Sequence, residues 1–156
     1  MKIKDLTITE VWKLVATGEG FDPVTIYLED SKGSNHYGKL IIESGGDAWS
    51  NIWGAMGEGY TIRKFLLKAN NDYNTRKLCR GGNIWTTDYA KIKAEAGCDI
   101  EGETLDSLGD SGDYEKLVKQ YGEDWVHDLP SCYTREYQRV IRLVEVVRQA
   151  IVMEGI

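Results

Sequence analysis

A glycine-rich turn between a strand pattern and a helix pattern, within residues 47–78, constrains the fold of this chain more than any other segment. The stretch reads DAWSNIWGAMGEGYTIRKFLLKANNDYNTRKL. Residues 48–53 alternate as a strand does, and the residues after the turn follow the i, i+3, i+4, i+7 spacing of a helix. The helical apolar positions are Ile62, Phe65, Leu66 and Ala69. The segment therefore predicts a strand that turns sharply into an amphipathic helix.

The turn imitates the outline of a phosphate-binding loop. Gly54 and Gly59 have the glycine spacing of that motif, but Tyr60 stands where a lysine must reach the phosphates. Glu58 would also place a negative charge inside an anion cradle. We therefore interpret the likeness as geometric, with glycines that permit a sharp turn, and expect no nucleotide to bind.

The first part of the chain has the period of half-buried strands. Val24, Ile26 and Leu28 alternate with polar or amphipathic residues, and short turn clusters separate this run from its neighbours. Short connections favour antiparallel pairing of consecutive strands. The predicted fold class is α+β, with an N-terminal antiparallel sheet of about four strands packed by C-terminal helices.

The length of 156 residues fits one domain, so we predict a single domain over residues 1–156. Residues 1–54 should be mainly β, and residues 61–156 mainly α with an acidic loop at 99–113. Asp72 is a candidate cap for one short helix, and Thr87 or Asp88 for another that ends at Gly97. A further helix is predicted at Tyr114–Tyr121.

The last predicted helix, from Thr134 to Met153, carries the clearest apolar stripe. Its members are spaced 4, 3, 4, 3 and 4 residues apart: Tyr133, Tyr137, Val140, Val144, Val147 and Ile151. Such a stripe is typical of a helix packed across a sheet, and also of the seam of a homodimer. The sequence leaves both alternatives open.

Two tryptophans lie on the predicted strand before the glycine turn. Trp49 and Trp53 are four residues apart, so they share one face of the strand. If Ala48 and Ile52 face the core, the two indoles form an exposed surface of the kind that binds proteins. The alternative is a strand covered on both faces.

Charge is strongly segregated along the chain. The formal net charge is −6, but residues 61–93 carry +6 and residues 94–128 carry −9. The candidate binding residues of the basic block are Arg63, Lys64, Lys68, Arg76 and Lys77. They could meet phosphates, neutralise the acidic block within the fold, or form a solvated helix face.

The acidic loop supplies the remaining candidate residues for partner binding. These are Asp99, Glu101, Glu103, Asp106 and Asp110. A calcium loop is disfavoured because Thr104 replaces the glycine that an EF-hand requires. A row of carboxylates can instead imitate the charge of a nucleic-acid backbone.

No catalytic or metal-binding motif stands out. The three cysteines form no paired motif, and we expect them to be free thiols. His127, Asp128 and Cys132 are close in sequence, but no nucleophile elbow surrounds them. We therefore expect no enzyme activity, cofactor, metal or membrane segment.

Three short motifs resemble a segment of small, uncharacterised accessory proteins of tailed phages and enterobacterial prophages. They are W-S-N-x-W-G from Trp49, G-x-T-I-x-x-F-L from Gly59 and N-D-Y-x-x-x-K-L from Asn71. The likeness covers about residues 37–80. It implies a phage accessory protein in the cytoplasm of a bacterial host, where such proteins often bind and disable a host system.

The expected function is stoichiometric binding of a host protein or protein–nucleic-acid complex, with inhibition of a nucleic-acid-directed defence system of the kind that anti-CRISPR and anti-restriction proteins target. Two alternatives remain open. One is a nucleic-acid-binding regulator that uses the basic helices of residues 61–80. The other is an enzyme whose site is assembled from distant residues.

Overall fold

Four strands pair in chain order as an antiparallel meander. The computed structural model describes residues 11–31, 37–80, 82–98 and 113–155. The strands are β1 (Val11–Gly18), β2 (Phe21–Asp30), β3 (Gly38–Ser44) and β4 (Asp47–Trp53), in sheet order β1-β2-β3-β4. The predicted α+β fold with a four-stranded N-terminal antiparallel sheet is confirmed.

The turn between β3 and β4 fixes which residues face the core. Gly45 and Gly46 have φ angles of 58° and 86°, as a two-residue type I′ turn requires. Ser44 consequently lies opposite Asp47, and Ile42 lies opposite Trp49. Cross-strand partners share one face of a sheet, so Trp49 follows Ile42 into the core.

The core lies on that face of the sheet. Its strand residues are fully or nearly fully buried: Val24, Ile26, Leu28, Leu40, Ile42, Trp49 and Trp53. Three helices cover them, α1 (Ile62–Lys68), α2 (Asn71–Leu78) and the long C-terminal helix over Arg135–Met153. The predicted apolar stripe of α1 is confirmed, since Ile62 and Leu66 are buried.

Each of the two short helices is capped by the side chain of the residue just before it. The side chain of Thr61 accepts a hydrogen bond from the Lys64 backbone and caps α1. Asn70 accepts from the backbone of Asp72 and caps α2. The prediction of Asp72 as the cap is wrong. Asp72 lies in the first turn, where a negative charge still favours the helix.

Gly38 lets α1 approach the sheet closely. A Cβ atom at Gly38 would lie 2.7 Å from the Ile62 Cβ and 2.8 Å from the Met56 sulfur. The carboxylate of Asp30 accepts a 2.5 Å hydrogen bond from the Ile62 backbone N–H. The glycine that brings this helix onto the sheet is therefore in β3, whereas Gly57 and Gly59 of the turn supply positive φ angles.

The C-terminal helix closes the core. Its stripe is buried against the sheet and the two short helices, with members Tyr137, Val140, Val144, Val147 and Ile151. The packed-helix alternative is confirmed for this stripe. A homodimer interface through Thr134–Met153 would have to use residues of the helix other than these buried ones. Homodimerisation as such stays a prediction.

Arg148 joins the C-terminal helix to the segment between α1 and α2. Its guanidinium donates hydrogen bonds of 2.7 Å to the Leu67 carbonyl and 3.1 Å to the Ala69 carbonyl. A third bond of 2.5 Å reaches the side-chain oxygen of Asn71. Carbonyl groups at the end of α1 that lack a partner within the helix thus accept hydrogen bonds from a residue far along the sequence.

The chain divides into two compact units. Unit 1 comprises residues 1–82 and 135–156, and unit 2 comprises residues 83–134. Unit 2 contains β5 (Trp85–Thr87), α3 (Tyr89–Ala96), α4 (Tyr114–Tyr121), α5 (Trp125–Asp128) and β6 (Ser131–Tyr133). The C-terminal helix is α6 (Arg135–Met153). One domain over the whole chain stays a prediction.

Unit 2 has its own apolar cluster, formed by Ile92, Cys98, Leu117 and Trp125. Asp88 caps α3 through the Lys91 backbone, and Gly97 ends it with a left-handed φ of 66°. The predicted cap, the predicted stop and the helix Tyr114–Tyr121 are confirmed. All three cysteines are free.

Candidate functional site

A groove of about 940 Å³ runs between β4 and α2 in unit 1. We call it the β4–α2 groove. Its lining residues are Lys39, Ser50, Asn51, Ile52, Tyr73, Arg76, Lys77 and Arg80. Arg76 and Lys77 were predicted as binding residues, and the fold brings the others to them.

The basic wall of the groove follows from the amphipathic pattern of α2. Asn74, Thr75 and Leu78 are the buried residues of this helix. Tyr73, Arg76 and Lys77 are three or four residues apart and exposed, so they lie together on the opposite side, and Arg80 follows the end of the helix. The helix presents one basic face and buries the other.

Arg80 adopts a backbone conformation that is unusual for its type. Its φ is 51°, and it is the single non-glycine residue with positive φ in the described part of the chain. It follows Cys79, the C-cap of α2, at a position where glycine is commonest. Its guanidinium donates a 3.0 Å hydrogen bond to the Ser50 hydroxyl of β4.

The charges that line the groove are unbalanced. The lining residues include four cations and, among the described residues, no carboxylate. Just outside, Asp72 pairs with Arg76 at 2.7 Å and accepts a hydrogen bond from the Tyr137 hydroxyl. The bonds from Arg76 and then Tyr137 hold the pKa of Asp72 below its ordinary value. Asp72 therefore stays ionised and positions Arg76.

The centre of the groove is apolar. Ile52 is 58% exposed and Tyr73 is 42% exposed, although both are large side chains. The Lys77 ammonium lies 5.7 Å from the centroid of the Tyr73 ring, and the Phe65 ring meets Tyr73 edge-on at 6.3 Å. An apolar centre with a charged rim is the usual composition of a protein interface.

A second cavity of about 610 Å³ in unit 1 shares Ser50 and Arg80 with the groove. It also contains Arg139, whose guanidinium lies 4.9 Å from the centroid of the Trp49 ring. Arg139 donates a 2.5 Å hydrogen bond to Asp47 and a 2.9 Å bond to the Ser44 carbonyl. Those contacts stabilise the turn between β3 and β4, so Arg139 has a structural role.

The predicted basic block does not form one surface. On α1, Arg63 stacks 4.2 Å from the Trp12 ring centroid, and Lys68 donates a hydrogen bond to the Tyr60 hydroxyl. That bond raises the pKa of Lys68. Lys64 is exposed on the same helix. Arg63 and Lys68 thus contact aromatic residues of the chain itself.

The prediction of an exposed indole face is wrong. Trp49 is 8% exposed and Trp53 is 4% exposed, while Ile52 of the same strand faces outward. Apolar residues occur at both odd and even positions of β4, so hydrophobicity alone does not show which face of the strand is buried. The two-residue turn at Gly45 and Gly46 sets the register between β3 and β4. Together with the alternation of Leu40 and Ile42, this register shows which residues of β4 face the core.

Structure also explains why the glycine turn differs chemically from a phosphate-binding loop. The first backbone N–H of α1 already donates to the Asp30 carboxylate. An incoming phosphate would meet that negative charge at the helix start. Tyr60, which stands in the lysine position, is occupied by its bond with Lys68.

Several predicted residues lie elsewhere. The acidic candidates Asp99, Glu101, Glu103, Asp106 and Asp110 fall outside the described residues. His127 and Asp128 are exposed on α5, and Cys132 pairs with Thr86 in the β5–β6 ladder. Within the described ranges, no group of three or more His, Cys, Asp or Glu residues could hold a metal ion.

The groove also contains residues that sequence analysis did not predict as binding residues, Ile52 and Lys39. Arg80 is a further cation of the basic block 61–93, and Tyr73 is an aromatic residue interleaved with its cations. Ile52 follows from the strand register. Lys39 has no comparable local signal, because only the pairing of β3 with β4 brings it opposite Ile52.

Comparison with known proteins identifies a family. A phage family matches residues 1–152, which is nearly the whole chain. No curated protein matches the chain, and no solved structure does. The resemblance to phage proteins is thereby confirmed. In the ranges that the structure describes, no helix is long and apolar enough to cross a membrane.

Proposed function

The chain belongs to the phage family Phage_phiTE_072, and from that premise we propose that it is an accessory protein that acts by stoichiometric protein binding through the β4–α2 groove. The observation that supports this function is the combination of an exposed apolar centre, Ile52 and Tyr73, with four surrounding cations. Binding rather than catalysis is the proposed activity.

The composition of the groove defines the chemistry of the partner. An aliphatic or aromatic side chain would cover Ile52, and carboxylates around it would face Arg76, Lys77 and Arg80. Complementary charge speeds association and excludes wrong partners, while the buried apolar contact supplies affinity. The partner surface should therefore be acidic around an apolar residue.

The proposed target is a host nucleic-acid-directed defence complex of the anti-CRISPR or anti-restriction type, in the cytoplasm of the bacterial host. Membership of a phage family supports a role during infection. Proteins that handle nucleic acid have basic grooves, and the carboxylates at residues 99–113 would suit such a groove by imitating phosphates. That acidic segment is a second proposed binding surface.

Affinity purification from host cells tests the proposal. A tagged wild-type chain should capture a stoichiometric partner, and Arg76→Glu with Lys77→Glu should capture at least about tenfold less. The matched control is Lys64→Glu with Lys68→Glu, which makes the same charge change on α1. Equal loss in both double variants would contradict binding through the groove.

The identity of the captured protein tests the remainder of the proposal. A nuclease, helicase or guide-RNA complex of a defence system is the expected partner. A stable partner without any role in nucleic-acid recognition would overturn the defence-inhibitor function and leave the groove as a protein-binding site.

A second candidate function is nucleic-acid binding by the same cations. The four positive charges favour it. However, the Lys77 ammonium lies over the Tyr73 ring, 5.7 Å from its centroid, where a stacked base would have to lie. Titration of fluorescent DNA and RNA at several salt concentrations separates the two candidates. Steeply salt-dependent affinity would favour nucleic acid, because bound phosphates release counterions.

A further inference from the structure

β4 is an edge strand of the four-stranded sheet. β4 pairs with β3, and within the described ranges no other backbone segment bonds to β4. Alternate residues of an antiparallel strand direct their N–H and C=O groups to the same neighbour. The type I′ turn makes Ser44 and Asp47 a hydrogen-bonded pair. Trp49 and Asn51 therefore bond towards β3, whereas Ala48, Ser50 and Ile52 direct their backbone groups outward.

The β4–α2 groove runs along this free edge. Ser50, Asn51 and Ile52 are consecutive, so their side chains alternate between the two faces of the sheet, yet all three line the groove. Lys39 lies opposite Ile52 on the outer face, whereas α2 packs on the core face, so a groove lined by both passes along the edge of β4. The opposite wall is the basic face of α2.

We infer that the partner binds by strand addition: an extended segment with alternating acidic and apolar residues pairs with β4 as a fifth strand. This inference rests on the proposed function and specifies how the groove is occupied. The acidic side chains of the added strand face Arg76, Lys77 and Arg80. Its apolar side chains lie on the outer face of the sheet beside Ile52.

The spacing of the two walls fits that occupant. Side chains on one face of a strand repeat every two residues, at about 6.8 Å. Arg76 and Lys77 are exposed on α2, and Arg80 follows the C-cap of that helix, so the cations of this wall are distributed along the groove. Successive carboxylates of an extended segment can consequently each meet a cation.

Local contacts in the edge are compatible with pairing. The Asn51 side chain donates a 3.2 Å hydrogen bond to the Ile52 carbonyl, which retains a second lone pair. Arg80 bonds the Ser50 hydroxyl and leaves the Ser50 backbone untouched. The other edge strand, β1, has an irregular register between Ala16 and Gly18, and such an irregularity disfavours regular pairing.

Charge selects a foreign acidic strand over a second copy of this chain. Two β4 edges could align about Ser50, but the pairing would bring Arg76, Lys77 and Arg80 of both copies together. Like charges at such an interface oppose association. An acidic segment gains attraction from the same residues.

The test uses a fluorescein-labelled peptide of four Val-Glu repeats with blocked ends and the full-length protein. Fluorescence anisotropy should show binding, with at least about tenfold weaker binding to Arg76→Glu with Lys77→Glu. Two further peptides carry N-methyl groups at every odd or every even residue. One of them should bind at least about tenfold more weakly, because it lacks the N–H groups that face β4. A Val-Lys peptide is the charge control.

Amide hydrogen exchange by NMR supplies the direct readout. The Val-Glu peptide should protect the N–H groups of Ala48, Ser50 and Ile52, with less change at Trp49 and Asn51. If the groove variant loses binding while both methylated peptides bind like the parent, strand addition is refuted and groove binding stands. If the groove variant binds normally, the proposed groove function also fails.

Two other outcomes overturn the inference. One is the absence of any binding of the Val-Glu peptide at millimolar concentration. The other is a dimer in sedimentation with the same three amides protected before peptide is added, which would identify a second copy as the occupant.

Discussion

The guanidinium of Arg80 donates a 3.0 Å hydrogen bond to the hydroxyl of Ser50, joining the end of α2 to the edge strand β4. Arg80 makes this contact from a left-handed backbone conformation, φ 51°. Arginine pays a steric penalty there that glycine avoids. A non-glycine residue at such a position is a candidate for a functional side chain.

Replacing Arg80 separates stability from binding. Arg80→Gly should be about 1 kcal/mol more stable than Arg80→Ala, because only glycine adopts positive φ without strain. Both variants should bind the Val-Glu peptide several-fold more weakly than wild type, because both lack the guanidinium. Urea unfolding and peptide anisotropy measure the two effects. Equal stability of the glycine and alanine variants would contradict a strained backbone.

Ile52 and Trp49 should respond in opposite ways to truncation. Ile52→Ala removes an exposed side chain, so the free energy of unfolding should change by about 0.5 kcal/mol or less. Partner capture should nevertheless fall. Trp49→Ala should cost about 3–5 kcal/mol of stability because the indole is buried. Urea denaturation monitored by far-UV circular dichroism distinguishes them, and a Trp49→Ala chain as stable as wild type would contradict the burial.

Arg148 should be one of the most important polar residues of unit 1. Arg148→Met removes three hydrogen bonds and leaves the Leu67 and Ala69 carbonyls without this donor, at a cost of about 2–4 kcal/mol. Arg142→Met, an exposed position on the same helix, is the matched control and should change stability by about 0.5 kcal/mol or less. Thermal unfolding of the two variants provides the comparison. Similar melting temperatures would show that Arg148 is dispensable.

Asp72 should make stability depend on pH. Its pKa is lowered in the folded protein by its bonds with Arg76 and Tyr137. A lowered carboxyl pKa contributes stability above the unfolded value of about 4, and the contribution is lost as pH falls through the folded value. Asp72→Asn should therefore be less stable than wild type at pH 7, and the difference should shrink as pH falls below about 4.

Urea midpoints measured between pH 7 and pH 2 test the Asp72 prediction. Glu58→Gln, which removes an exposed carboxylate from the glycine turn, should have the wild-type midpoint at pH 7. A constant difference between Asp72→Asn and wild type across this range would mean that the charge of Asp72 has no part in its effect.

Much of the fold could be predicted because its signals are local. The alternation of Val24, Ile26 and Leu28 identified β2, and the apolar stripe of α6 identified the helix that closes the core. Asp88 and Gly97 marked both ends of α3. Each signal depends on residues within a few positions of one another, so sequence alone suffices.

The site was harder to predict because it depends on pairing between distant segments. Trp49 and Ile52 both suit the core by composition, and the turn register decides between them. Arg63 and Arg76 look alike in sequence, yet one stacks on Trp12 and the other lines the groove. Neither distinction exists until the sheet has formed.

In the sequence, unit 2 comes after α2 and before α6, and this order has a consequence for synthesis on the ribosome. The sheet is translated before residues 83–134, and α6, which covers its core face, is translated last. At about 5–20 residues per second, translation of that intervening segment takes about 3–10 s. During this interval the core face of the sheet lacks the part of its cover that α6 supplies, so we expect the nascent chain to bind chaperones that recognise exposed apolar strands.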